Sequence, residues 1–296
     1  MIMKYVIRGK NLRKDFKNFH LSIDELKIPK GFATALIGEN GAGKTTLLNM
    51  MAGIRLDYKG DFTYFEKEND IDMNNVKERI GYTGPNNFFL PHWTIHQVRG
   101  ICQLLFDHFD PDKFDKICSA LCIPQGSEMN VKTLSDGNCM KLMLATVLAR
   151  ETDLLILDEP ASPLDPLMRD KLCEIIRQYL SDGDGERSVF FSTHNIADME
   201  NVTDYAIIME QGKVVEEGFV EELKEKYIVV KGELEDFNLA SKVLIGMNKN
   251  NYGFEGLCLS DKRDQLVGVN VAYETPTLSQ ICLGIMKEYT SLKTTF

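Results

Sequence analysis

No stretch of 18 consecutive apolar residues occurs in this sequence, so no helix is expected to span a bilayer. The opening residues, MIMKYVIRGK, hold an apolar run too short for a signal peptide. A soluble chain is expected, or one held at a membrane by a partner. Positive charge is scarce: 34 lysines and arginines face 44 acids, for a net charge of −10. Nucleic-acid binders ordinarily carry a basic face, so the balance argues against that class, although a local patch stays compatible with it. The seven cysteines (102, 118, 122, 139, 173, 258 and 282) form no CxxC pair, and their number is odd. Cys118 and Cys122 lie four apart, with no second ligand pair nearby. That pattern favours buried, reduced thiols over disulfides or a metal site. Internal repeats and low-complexity tracts are lacking too. His20, His92, His96 and His108 stand in no chemical pattern.

What is present is an ordinary globular mixture, 44% hydrophobic and 26% charged, long enough for one large domain and a small one. FATALIG (Phe32–Gly38) is short, apolar and bounded by glycines, which predicts a buried strand feeding a helix over Lys44 to Met51. From about Pro85 to Arg150 the pattern becomes helical. One helix is predicted with Thr94 as N-cap and Val98, Ile101, Leu105 and Phe109 on one face. A second carries Phe114, Ile117 and Leu121, and CMKLMLATVLAR makes a third. Strand–helix alternation then returns with DLLILDEP, MRDKLCEIIRQYL and SVFFSTH, followed by a hairpin around Gln211-Gly212. The pattern predicts an α/β fold with a mostly parallel core sheet, antiparallel β elements and an inserted helical subdomain over about 85–150. Residues 1–225 form the predicted main domain. Residues 226–296 read as a small α+β domain, with strands at YIVVKGEL, GFEGLCLS and QLVGVNVAY and a helix at TLSQICLGIMKEY.

Two motifs carry chemistry. Gly38, Glu39, Asn40, Gly41, Ala42, Gly43, Lys44 and Thr45 match the P-loop pattern G-x-x-x-x-G-K-[ST] in full. The glycines let backbone N–H groups turn inward onto phosphate oxygens, and the following helix adds its positive end. Lys44 is expected to reach the β- and γ-phosphates, Thr45 to ligate Mg2+, and Thr46 to add a phosphate contact. A purely structural glycine turn is outweighed because a strand precedes the loop and a helix succeeds it. LLILDEP supplies the second half. Asp158 ends a buried strand as a carboxylate near the metal, and Glu159 can polarise a water for in-line attack on the γ-phosphorus.

Between these motifs, TLSDGNCMKL resembles the signature of the ABC (ATP-binding cassette) family, usually written LSGGQ, standing here as Leu134-Ser135-Asp136-Gly137-Asn138. EPASPLDP resembles the family's D-loop, with Asp165 as its acid, and FFSTHN its H-loop, with His194. IGYTGPNNFFLPHWT resembles the segment leading into the helical insert, and Phe16 falls where the family stacks a ring on adenine. The resemblance covers roughly residues 1–225. It implies a P-loop NTPase that pairs head to tail with a second cassette, ATP lying between one P-loop and the other signature. Ser135, Gly137 and Asn138 would complete the partner's nucleotide site, and His194 would contact the γ-phosphate and help hold the attacking water. It further implies an ATPase subunit of a transporter whose membrane part is a separate polypeptide. That subunit would leave this chain peripheral on the inner face of the cell membrane. Phe88, Phe89, Leu90 and Trp93 are candidates to line the groove for it, with ordinary core packing as the equal alternative for this stretch. The C-terminal extension is similar to those of bacterial exporters of drugs or peptides.

Two positions depart from the family. Pro85 stands where a glutamine or acid is usual and offers no side-chain oxygen; Asn86 is next to it. Asp136 replaces a signature glycine and would bring a carboxylate near the partner's triphosphate. This asymmetry suits a heterodimer with a different cassette, while a homodimer stays open. Two other readings stand beside the transporter: a non-catalytic nucleotide-sensing cassette, and a soluble relative acting on nucleic acid or ribosomes.

Overall fold

The computed structural model describes residues 3–66, 73–124 and 129–289. The chain opens with two long antiparallel strands, β1 (Tyr5–Phe16) and β2 (Phe19–Pro29), then enters the core as β3 (Ala33–Ile37) and α1 (Lys44–Met51). β4 (Lys59–Tyr64) returns to pair with β1 in a three-stranded antiparallel sheet. After α2 (Met73–Glu78) and β5 (Ile80–Thr83) come the three helices α3 (Ile95–Leu105), α4 (Pro111–Ala120) and α5 (Asp136–Leu148). β6 (Leu154–Leu157), α6 (Pro166–Ser181), β7 (Ser188–Thr193), β8 (Tyr205–Glu210) and β9 (Lys213–Phe219) complete the main body.

The central sheet runs β5-β6-β7-β3-β8-β9, parallel except for β9. Its strands are apolar on both faces, because alternate side chains feed two separate cores. Leu36, Ile156, Phe190 and Ile207 face the layer of β1, β2 and α1. Ile37, Leu157, Phe191 and Ile208 face the helical layer. The parallel register carries the carboxyl ends of β3, β6 and β7 to one edge of the sheet, with Ile37 opposite Thr193 and Leu157 opposite Phe191.

The helical layer differs from expectation in detail. Thr94 caps α3 as predicted, and it does so in a full capping box with Gln97. Its inward face, however, is Ile95, Val98 and Cys102, while Ile101 is half-buried and Leu105 stands 66% exposed. Phe109 is buried beyond the helix end, next to Phe114. Phe89 joins the core rather than a surface groove, whereas Phe88 and Leu90 are exposed. Six cysteines are buried and Cys122 is exposed.

The main body passes without a linker through α7 (Val220–Lys226) into β10 (Tyr227–Gly232). A short α8 (Phe237–Ala240) precedes β11 (Ile245–Lys249), β12 (Phe254–Leu259), β13 (Val271–Glu274) and α9 (Leu278–Tyr289). These strands form an antiparallel sheet in the order β11-β12-β10-β13. One face, with Val230, Cys258 and Leu266, has its own small core. The other, with Val229 and Leu257, shares the main body's core together with Leu278, Ile281 and Ile285 of α9. The predicted strand QLVGVNVAY is shorter than expected. Leu266 ends a 3-10 turn, and Gly268 at φ +90° breaks the chain before β13.

Phe190 lies fully buried in the strand between β6 and β3. Phe190→Ala is expected to lower the unfolding free energy by about 3–5 kcal/mol in urea titration. A loss below about 1 kcal/mol would contradict the central placement of β7.

Candidate functional site

Three chain segments leave the sheet at its common edge, and each delivers polar groups there. The first, after β3, is the glycine loop. Gly41 and Gly43 take φ of +91° and +107°, a region open to glycine at little cost. A Cβ on Gly43 would stand 2.7 Å from Phe19 Cζ, so a side chain there would also have to displace the Phe19 ring. A Cβ on Gly41 would meet nothing within 4 Å; there the loop faces open space. The Ala42 N–H donates to the Glu39 carbonyl at 3.1 Å, and the Ala42 carbonyl accepts from Gly212 N at 3.0 Å, which fixes the loop against the β8–β9 turn. α1 then begins at Lys44 with Gly43 as its N-cap, which supplies no side-chain acceptor. Its first-turn N–H groups are left for a ligand.

The buried Lys44 ammonium donates to the carbonyls of Gly38 (2.7 Å) and Glu39 (3.2 Å) and stands 3.4 Å from Glu159 Oε1. Glu159 Oε2 is in turn 2.8 Å from His194 Nδ1. One carboxylate thus joins the glycine loop, the end of β6 and the end of β7. Glu159 adopts φ +49°, a strained conformation for a side-chain-bearing residue that costs on the order of 1–3 kcal/mol.

Ser192 holds that conformation, and sequence reasoning missed it. Its hydroxyl accepts from the Glu159 N–H at 2.9 Å and donates to Asp158 Oδ1. The signal was a hydroxyl directly after the apolar run Val189-Phe190-Phe191, two residues before His194. Asp158 is fully buried, and burial pushes its carboxyl above the usual range against the opposing influence of the Ser192 bond and the nearby Thr45 hydroxyl. Its Oδ2 atom is buried with no hydrogen-bond partner. A hard cation would satisfy that orphan oxygen, so Asp158 and the Thr45 hydroxyl beside it fit magnesium in chemistry.

Two clefts meet at this edge. One, of about 680 Å³, is lined by Phe16, Phe19, Asn40, Gly43, Lys44, Thr45 and Thr46. The other, of about 560 Å³, is lined by Asn86, Asp136, Asp158, Glu159 and His194, and Pro85 borders both. Phe16, at the end of β1, is 36% exposed, with Lys14 and Arg55 cations each 5.3 Å from its ring centre. Its exposed ring offers a stacking surface at the mouth of the first cleft.

The signature residues sit at the start of α5. Ser135 caps it, its hydroxyl accepting from Asn138 N at 3.3 Å. Asp136 is exposed in the first turn, where an acid favours the helix's positive end. Gly137 packs against the segment after Glu159: a Cβ there would stand 2.7 Å from Pro163 O. Asp165 lines neither cleft; it caps α6 by accepting from Met168 N at 3.0 Å. A third, more apolar groove of about 290 Å³ runs between the layers past Ile54, Ile80, Phe88, Phe106 and Val147.

The family described as ABC transporter matches residues 21–162. The thiamine import ATP-binding protein ThiQ of Haemophilus ducreyi is 30% identical over 194 residues, 64% of this chain and 89% of the relative. The bacitracin transport ATP-binding protein BcrA of Enterococcus faecalis is 28% identical over 248 residues, 82% of this chain and 79% of the relative. The molybdenum import ATP-binding protein ModC of a Shewanella strain is 26% identical over 212 residues, and the chain spans 57% of its length. Among solved structures, a dimeric ATP-binding cassette in a post-hydrolysis state with ADP and Pi shares the fold, with TM-score 0.62 and 18% identity over 72% of this chain and 98% of the other. With its glycine loop, adjacent carboxylates and histidine gathered at one sheet edge, the chain belongs to the ABC transporter family, whose cassettes bind and hydrolyse ATP.

Proposed function

We propose that this chain is the ATP-hydrolysing subunit of a membrane transporter that exports drugs or amphipathic peptides. The observation carrying the ATPase reading is the shared Glu159 carboxylate, with the Lys44 ammonium on one oxygen and the His194 ring on the other. A triphosphate entering the loop exchanges the Gly38 and Glu39 carbonyls on Lys44 for β- and γ-phosphate oxygens. The first-turn amides of α1, with Thr46, receive the same phosphates, and the Phe16 ring stacks on adenine. Asp158 and Thr45 would hold magnesium, which when bound neutralises phosphate charge. Glu159, released from Lys44, is placed to accept a proton from the attacking water, and His194 orients that water and the γ-phosphate.

Residues 1–225 act as the cassette and 226–296 as an accessory domain. ATP glues the cassette to a second one, whose site Ser135, Gly137 and Asn138 complete, with Asp165 near the interface. Hydrolysis removes the affinity for both halves. Among the described residues no helix is long and apolar enough to cross a membrane. In the transporter reading a separate membrane subunit holds the chain at the inner face of the membrane. The groove past Ile54, Phe88 and Phe106 is apolar and open, and it suits a helix of that subunit. A peptide cargo is favoured by the reach of the likeness. The match to the bacitracin transport protein spans 248 residues and must include part of the C-terminal region. The 194-residue match to the thiamine import protein is short enough to lie within the cassette.

Lys44→Ala is expected to abolish ATP binding in equilibrium titration; retained affinity would place the nucleotide elsewhere. Glu159→Gln is expected to cut turnover at least 100-fold and to leave an ATP-bound dimer on size exclusion, alone or with its partner cassette. Turnover equal to wild type would remove the catalytic role. Ser192→Ala, which frees both acids from their common hydroxyl, is expected to slow turnover by about tenfold or more, with ATP affinity within a few-fold. An unchanged rate would show that the hydroxyl positions nothing.

A further inference from the structure

The segment after His194 does more than connect β7 to β8. Six residues beyond His194, the Glu200 carboxylate accepts three hydrogen bonds from the start of α9: Leu278 N at 2.8 Å, Ser279 N at 3.3 Å and Ser279 Oγ at 2.8 Å. It therefore caps a helix from a distant part of the chain, neutralising its positive end. Between His194 and Glu200 the chain is pinned at Asn195, Ile196, Asp198 and Met199. Asn195 bonds Asp198, Asp198 pairs with Arg169 at 2.7 Å, and Met199 is fully buried. Arg169 also donates to Ala161 O and Leu164 O, in the segment just after Glu159. Ile196, Met199 and Val202 share one core with Leu278, Ile281 and Ile285 of α9.

The other end of α9 is held as well. The Tyr289 carbonyl accepts from Gln211 Nε2 at 3.0 Å. Gln211 precedes Gly212, whose N–H supports Ala42 in the glycine loop. At 12 residues, about 18 Å, α9 is a strut between the histidine segment and the turn behind the phosphate loop.

We propose that Glu200 is a positioning residue: it docks α9 against the segment carrying His194, so that docking of the C-terminal sheet and helix sets the histidine's place over the nucleotide. The proposal rests on the reading that His194 acts at the γ-phosphate. It gives the C-terminal residues a regulatory function, since anything that undocks α9 slows hydrolysis without blocking ATP binding.

The test uses the full chain, with its partner cassette where turnover requires one. Glu200→Ala and Glu200→Gln are compared with wild type for kcat, KM and ATP affinity. Amide exchange in α9 and the His194 ring NMR signal are tracked in parallel, the latter assigned by its loss in His194→Ala. Expected are a kcat about tenfold lower in Glu200→Ala, KM and ATP affinity within twofold, faster exchange at Leu278 and Ser279, and a shifted His194 signal. Glu200→Gln, which keeps one acceptor oxygen, should recover part of the rate. If Glu200→Ala does not fold, Ser279→Ala serves, with a smaller loss of kcat and the same unshifted KM. Faster exchange in α9 with wild-type kcat and an unmoved His194 signal would overturn the proposal. Loss of ATP affinity in parallel with kcat would overturn it too, because it would mark general destabilisation. Glu159→Gln is run alongside. Wild-type turnover there defeats the ATPase reading, whereas an inactive Glu159→Gln beside a fully active Glu200→Ala defeats only the role of Glu200.

Discussion

One carboxylate, that of Glu159, is shared by an ammonium and an imidazole, and the architecture is arranged so that these three groups meet. Lys44 is carried by the first turn after β3, Glu159 by the end of β6 and His194 by the end of β7. They converge only because the three strands are parallel and in register, with their carboxyl ends at one edge. A carboxylate so held has the Lys44 charge as its counter-ion in the protein alone, with the His194 ring on its other oxygen. Ser192 keeps the arrangement from relaxing. By bonding the Glu159 amide and the Asp158 carboxylate together, it holds the glutamate backbone in its strained left-handed state.

The two departures from the family pattern take on physical meaning beside this core. Pro85 borders both clefts without a side-chain hydrogen-bonding group, so the link between the phosphate edge and the helical layer falls to its neighbours. One of those, Asn87, already contacts Cys139 of α5 at 3.6 Å and accepts from Phe89 N at 3.0 Å. Asp136 finds a local use at the start of α5, but its carboxylate borders the cleft that also holds Asp158 and Glu159. A triphosphate brought there adds charge of the same sign, a repulsion that the exposed Asp136 lessens by facing solvent.

Much of this was legible in the sequence because the strongest signals are local. The glycine loop follows a strand and precedes a helix as its spacing implies, and LLIL with two acids after it is the buried strand reaching a polar edge. Thr94 and Gln97 form the capping box that their spacing implies. What was not legible depends on distant partners. Leu105 looked like core from its period, yet α3 turns Val98 and Cys102 inward and leaves its last turn in solvent. The stretch around Phe89 read equally as groove lining or core packing, and only the fold puts Phe89 in the core one residue from the exposed Phe88. β11 has too mixed a sequence, IGMNK, to announce an edge strand. Ser192 and Glu200 act on residues 34 and about 80 positions away, a relation no single-sequence periodicity encodes.

The measurement closest to the central claim is a structure of the full chain with a non-hydrolysable ATP analogue and magnesium. The expected result places the terminal phosphate within hydrogen-bonding distance of the Lys44 ammonium and the His194 ring, the cation beside Asp158 and Thr45, and adenine against Phe16. A nucleotide bound away from the end of β6, with Lys44 still on its own loop carbonyls, would contradict the account.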